Sequence, residues 1–152
     1  MIEPLEFTFE VGTSLEHAFR TWTLRINRWW PPMHSESGDP ELTVVLEPHL
    51  GGRMYERTSD GTEYEWGQIT LWDPPVRFGY SWHIRRPPNE STDVLISFTE
   101  LAPRRTRVQI HQTAWERVGP DAPDWRDRNR TAWASLFPHF TAYAESQVTT
   151  AR

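Results

Sequence analysis

The sequence predicts an α+β fold: an antiparallel sheet of six to seven strands, an early helix, and one long C-terminal helix. Three observations carry this expectation. Residues 5–11 alternate with period two, short β-rich segments recur between turn signals from residue 43 to 115, and helical spacing takes over after Gly119-Pro120. At 152 residues the chain is long enough for one domain with a real core, so a single domain over 1–152 is expected, ordered from about 5 to 145.

In residues 5–11, LEFTFEV, Leu5, Phe7, Phe9 and Val11 share one face while Glu6, Thr8 and Glu10 share the other. That is a strand with one wet face and one face on a core. Thr13-Ser14-Leu15-Glu16 has capping-box spacing. Leu15, Ala18, Phe19, Trp22, Ile26 and Trp29 then recur at helical intervals, predicting one amphipathic helix that stops at Pro31-Pro32. Strands follow at 43–48, 53–58, 63–72, 76–84, 92–101 and 106–115. The turns between them include Gly51-Gly52, Asp60-Gly61 and Asp73-Pro74-Pro75, a pattern for an antiparallel meander. Gly67, inside the third of these strands, predicts a bulge or a close backbone approach. Pro123 suits the first turn of the last helix, with Asp121 and Asp124 at the positive end of its dipole. Trp125, Trp133, Leu136, Phe137, Phe140 and Tyr143 form its apolar stripe, and Pro138 predicts a kink or break near residues 134–138.

Composition narrows the function. A net charge of −5 without long blocks of like charge disfavours non-specific nucleic-acid binding. The chain has no cysteine, which removes disulfides, thiol nucleophiles and thiolate metal sites and fits a cytoplasmic location. No signal peptide and no membrane-length apolar run is visible. Nine tryptophans are many for this length, and each can bury roughly 150–250 Å². The six histidines are dispersed without metal-ligand spacing, His34-Ser35-Glu36 being the nearest approach to a ligand pair, so neither metal nor other cofactor is expected. Nucleophile elbows, phosphate loops and dinucleotide fingerprints are absent as well.

Several stretches together resemble the SRPBCC (START/Bet v1-like) superfamily, in the branch named after the activator of heat-shock protein 90 ATPase. They are FTFEV…AFRTWT at 7–23, WWPP at 29–32, LEPHLGGRMYER at 46–57, DGTEYEWGQITLWDPPVRFGYSW at 60–82, VLISFTEL at 94–101, TRVQIHQTAWER at 106–117, and Trp133. The resemblance implies a helix-grip fold, in which a curved antiparallel sheet wraps the long C-terminal helix and leaves a central cavity between them. The family often has glycine before the helix tryptophan, where this chain has Ala132. Members of the superfamily bind lipids, hormones or polyketides, and some are cyclases or ring hydroxylases.

The strand pattern supplies candidate lining for such a cavity. Met54 and Glu56 share a face of RMYER, and Trp66 and Gln68 share a face of the next strand. Phe78, Tyr80 and Trp82 alternate on VRFGYSW, and Phe98 and Ile110 come from the last two strands. Trp133 and Phe137 face them from the helix, and Trp30, beside the prolines, is the candidate rim or lid. An aromatic wall with a few polar groups suits a small hydrophobic or aromatic ligand, although period-two aromatics also build plain core. An inward Glu56 needs a partner, either a structural ion pair or a ligand. The leading expectation is ligand binding without catalytic apparatus. A cyclase or hydrolase using buried Glu56, with Tyr80 or Gln68 positioning the substrate, is the second reading, and a chaperone-related interaction module docking through the WWPP segment or the exposed sheet face is the third. A homodimer through an edge strand would satisfy backbone groups otherwise left unpaired.

Overall fold

The computed structural model describes residues 2–150. Seven strands form one antiparallel sheet: β1 (Leu5–Val11), β2 (Thr43–Leu46), β3 (Arg53–Arg57), β4 (Glu63–Asp73), β5 (Arg77–Trp82), β6 (Thr92–Ala102) and β7 (Arg105–Thr113). Their order is β1-β7-β6-β5-β4-β3-β2, so the meander from β2 to β7 runs across the sheet and β1 closes it beside β7. The sheet curls around the long helix α3 (Ala122–Thr150), the helix-grip arrangement expected from the resemblance. No helix of the described residues is long and apolar enough to cross a membrane.

The early helix differs from the single helix expected over residues 15–29. It is split into α1 (Leu15–Thr23) and the single turn α2 (Ile26–Trp29). The indole of Trp29 explains the break. Its Nε1 donates to the Thr21 carbonyl at 2.9 Å, the acceptor a continuous helix would offer to the Arg25 amide, which bonds to Arg20 instead. The apolar face survives, and Phe19, Trp22, Ile26 and Trp29 are all buried. The cap is Ser14 rather than Thr13: its hydroxyl accepts from the His17 amide.

Nor is α3 broken at Pro138; the helix runs through it. Proline deprives the Ala134 carbonyl of its donor, but Ala134 and Pro138 lie on the exposed face, where water can replace that bond. The opposite face fills the concavity of the sheet. Phe140 packs on Trp22 at 4.7 Å between ring centroids, and Phe137 stacks on Phe9 at the same distance.

A bulge in β4 decides which side chains reach the core. Met54 pairs with Gly67 but Tyr55 pairs with Glu65, so Trp66 is an extra residue on β4. Trp66 and Gly67 are therefore both inside, and Gln68 turns outward and is exposed. The expected shared face of Trp66 and Gln68 is thus corrected. Gly67 also fulfils its second expectation, because a Cβ there would lie 1.7 Å from the Ser81 carbonyl oxygen.

Candidate ligand-binding site

The double proline shapes one wall of the site. Trp30 closes α2 with its amide on the Ile26 carbonyl, and Pro32–His34 then forms a 3-10 turn. The chain folds back so that the Trp30 indole donates to the His34 carbonyl at 3.0 Å. Trp29 and Trp30 are consequently buried, and the segment does not present the exposed aromatic patch that docking through them requires.

The loop beyond is anchored from beneath by Glu56. Its carboxylate is fully buried and faces four donors: the Glu36 amide at 2.6 Å, the Ser37 amide at 3.0 Å, the Ser37 hydroxyl at 2.6 Å and the Trp66 indole at 2.8 Å. Burial alone would raise its pKa, but the hydrogen bonds outweigh it and hold the carboxyl below its ordinary value. Among the described residues this acid forms no ion pair, one of the two partners expected for it, and it does not line a cleft. A carboxylate saturated by donors and kept ionised is poorly suited to general acid–base work. Tyr80 is no better placed, since complete burial pushes its hydroxyl far up and keeps it a neutral phenol.

Two more ties complete the wall. The Arg85 guanidinium donates to the Ser35 carbonyl at 2.8 Å and its amide to the Glu36 carboxylate at 3.0 Å. His34 Nε2 lies 3.1 Å from Ser135 Oγ on α3. His34 titrates below its ordinary value, first because it is partly buried and second because His139 repels its charged form.

Between this loop and α3 opens a pocket of about 210 Å³. Trp30, Trp82 and Trp133 form its inner wall, each less than a tenth exposed. Met33, His34 and Ser35 flank one side, with Ile84 and Arg85 beside them; α3 supplies Trp125, Arg128, Asn129, Ala132 and Leu136. Trp133 is locked in place because its indole donates to Gln112 Oε1 at 2.8 Å, and the Gln112 amide donates in turn to Thr92 and Asn129. The lining contains two guanidinium groups and no carboxylate.

Of the twelve residues expected to line a cavity, Trp30, Trp82 and Trp133 meet at this pocket. Met54, Glu56, Trp66, Phe78, Tyr80, Phe98 and Ile110 lie behind it as close-packed interior, each 2% exposed or less. Phe137 turns from the pocket towards Phe7 and Phe9, and Gln68 is on the outer face of the sheet. The residues sequence reasoning missed come from the loop, from Ile84 and Arg85 just after β5, and from α3. Trp125, Asn129, Ala132, Trp133 and Leu136 share one helical face, a spacing visible in the sequence, but nothing local marks that face as uncovered.

Comparison with known proteins agrees with this architecture. The family described as "Activator of Hsp90 ATPase homolog 1-like protein" matches residues 12–145. An anthrahydroquino-gamma-pyrone synthase of known structure is 32% identical over 81% of this chain and 84% of its own, with a TM-score of 0.61. CalC, a self-sacrificing resistance protein from Micromonospora echinospora, is 24% identical over 95% and 96% of the two chains, with a TM-score of 0.73. A protein from Rhodobacter sphaeroides aligns over 99% and 94% at 19% identity and a TM-score of 0.70. The last two likenesses are of fold. No curated protein sequence matches the chain.

Proposed function

The chain belongs to the family of Activator of Hsp90 ATPase homolog 1-like proteins, and we propose that it binds a compact planar aromatic molecule in the pocket between α3 and the loop after Pro32. The observation that carries this reading is the inner wall of three indoles, Trp30, Trp82 and Trp133, each held by packing or by a bond through its ring nitrogen. Rigid rings around an open space suit stacking or edge-on contact with a flat guest. An apolar cavity of roughly 150 Å³ admits a single benzene ring, so a pocket of about 210 Å³ suits one or two fused rings.

The test is calorimetric titration with the neutral two-ring probe 2-naphthamide, on wild type and on Ala132→Phe. Ala132 lines the pocket and is half-buried on α3, so a phenyl group there occupies ligand space without entering the core. Loss of binding in that variant at unchanged Tm supports the reading, with Gln68→Ala on the outer face as the control. Undiminished binding in Ala132→Phe would move the ligand elsewhere.

One observation favours a second reading, catalysis on such a ligand: the 32%-identical relative is a synthase. The residue suited to take a proton is then His34, kept neutral at the pocket edge and bonded to Ser135, rather than Glu56. Turnover abolished by His34→Gln, with 2-naphthamide binding retained, distinguishes an enzyme from a carrier.

A further inference from the structure

We propose that this pocket selects aromatic molecules carrying an anionic oxygen group, a carboxylate or an ionised phenol, which Arg85 and Arg128 recognise. The inference rests on the pocket reading above and specifies its ligand class.

The charges around the pocket are unbalanced. Arg85 and Arg128 both line it, and no carboxylate does. Among the described residues, neither guanidinium forms an ion pair. The neighbouring Arg86 is different, being neutralised by Glu90 at 2.7 Å and Asp121 at 3.4 Å while it lies over the Trp125 ring. The Glu36 carboxylate in the loop accepts from the Arg85 backbone amide and forms no ion pair with its side chain. Among the described residues the guanidinium of Arg85 bonds only to the Ser35 carbonyl, leaving donors to spare from its five N–H groups. Asp124, one turn before Arg128 on α3, makes no ion pair with it. In a chain of net charge −5, these two cations give the indole-lined pocket a local positive charge.

Backbone geometry adds an independent observation. Arg85 has φ of 62°, the left-handed region that a residue with a Cβ occupies at a cost and that glycine occupies freely. The chain holds an arginine there, at the pocket edge. Strain of this kind persists where surrounding structure over-determines it, and it clusters at ligand clamps. A guanidinium matches the two oxygens of a carboxylate in one plane, and the indole walls would hold the ring that carries it.

The test compares two isosteric probes, 2-naphthoate and the uncharged 2-naphthamide, by calorimetric titration against wild type and Arg128→Met. Arg128 is exposed on α3 and its side chain makes no bond among the described residues, so the variant folds normally. The expected result is naphthoate binding roughly tenfold tighter than the amide at low salt, as befits a charge-assisted contact. The preference shrinks at about 0.5 M salt. In Arg128→Met the ratio of naphthoate to amide affinity falls several-fold. Equal affinity for the two probes would overturn the inference and leave the pocket reading standing. Binding of neither would overturn both. A naphthoate preference untouched in Arg128→Met would remove Arg128 from the assignment.

Discussion

Replacing Glu56 with glutamine tests whether a buried carboxylate holds the pocket loop. Oε1 accepts from the Glu36 amide and the Trp66 indole, and Oε2 from the amide and hydroxyl of Ser37. Glutamine keeps one acceptor and turns the other into a donor. The less costly orientation leaves the amide oxygen at the Oε1 position and lets the Ser37 hydroxyl rotate to accept, stranding the Ser37 amide. Hydrogen bonds to a charged group contribute about 1.5–3 kcal/mol against about 0.5–1.5 for neutral ones, and a stranded buried donor costs about 1–3. Relief from burying a charge offsets part of this, so the expected net loss is about 2–4 kcal/mol. Urea denaturation followed by tryptophan fluorescence measures it.

The pH dependence is the sharper readout. The folded state prefers the ionised carboxyl, so the unfolded chain takes up its proton first as pH falls. This stabilisation is complete above the unfolded pKa of about 4.3 and disappears as pH falls through the lower folded value. The gap between wild type and Glu56→Gln should therefore hold at neutral pH and narrow as pH falls below about 4.3 towards the lower folded value. A gap that stays constant, or one below about 0.5 kcal/mol at neutral pH, would refute the account of a charge held by four donors. The variant should also bind 2-naphthamide more weakly, because Met33, His34 and Ser35 belong to the segment that Glu56 anchors.

Gly67→Ala places a methyl group 1.7 Å from the Ser81 carbonyl oxygen, and backbone cannot yield as a flexible side chain can. It should cost about 2 kcal/mol or more in urea denaturation, and wild-type stability would refute the close approach of β4 and β5. The third prediction concerns His34, which should titrate below its ordinary value by proton NMR. His139→Ala should move it upward without restoring the ordinary value, because burial is the larger cause and charge repulsion the smaller. Full restoration would reverse that ranking.

The parts of this structure that were legible in the sequence are those in which one element decides burial by itself. Alternation in LEFTFEV is enough to bury Leu5 and Val11, and the spacing of Phe19, Trp22, Ile26 and Trp29 faces them inward even though the helix carrying them is split. Glu56 was readable as an inward acid, but its partners were not: three of its four donors come from residues 36 and 37, 20 and 19 positions away, in a loop without periodicity. The extra residue at Trp66 reverses the side of Gln68, and only pairing with β3 determines where that residue sits.

The pocket was the least legible, because it arises from how a broken helix returns to a distant one. Pro31 and Pro32 stop α2, the Trp30 indole draws the His34 carbonyl back, Glu56 pins the Glu36 and Ser37 amides, and His34 reaches Ser135 across the gap. The aromatic surface of WWPP therefore has a structural use at its breaking point. Trp29 ends α1 by taking a carbonyl from it, and Trp30 becomes the wall around which the loop turns. A helix continuing past residue 30 would still bury two tryptophans. It would lack the return that brings Met33–Ser35 opposite Ala132 and Trp133, and the pocket would lose the side that encloses a ligand.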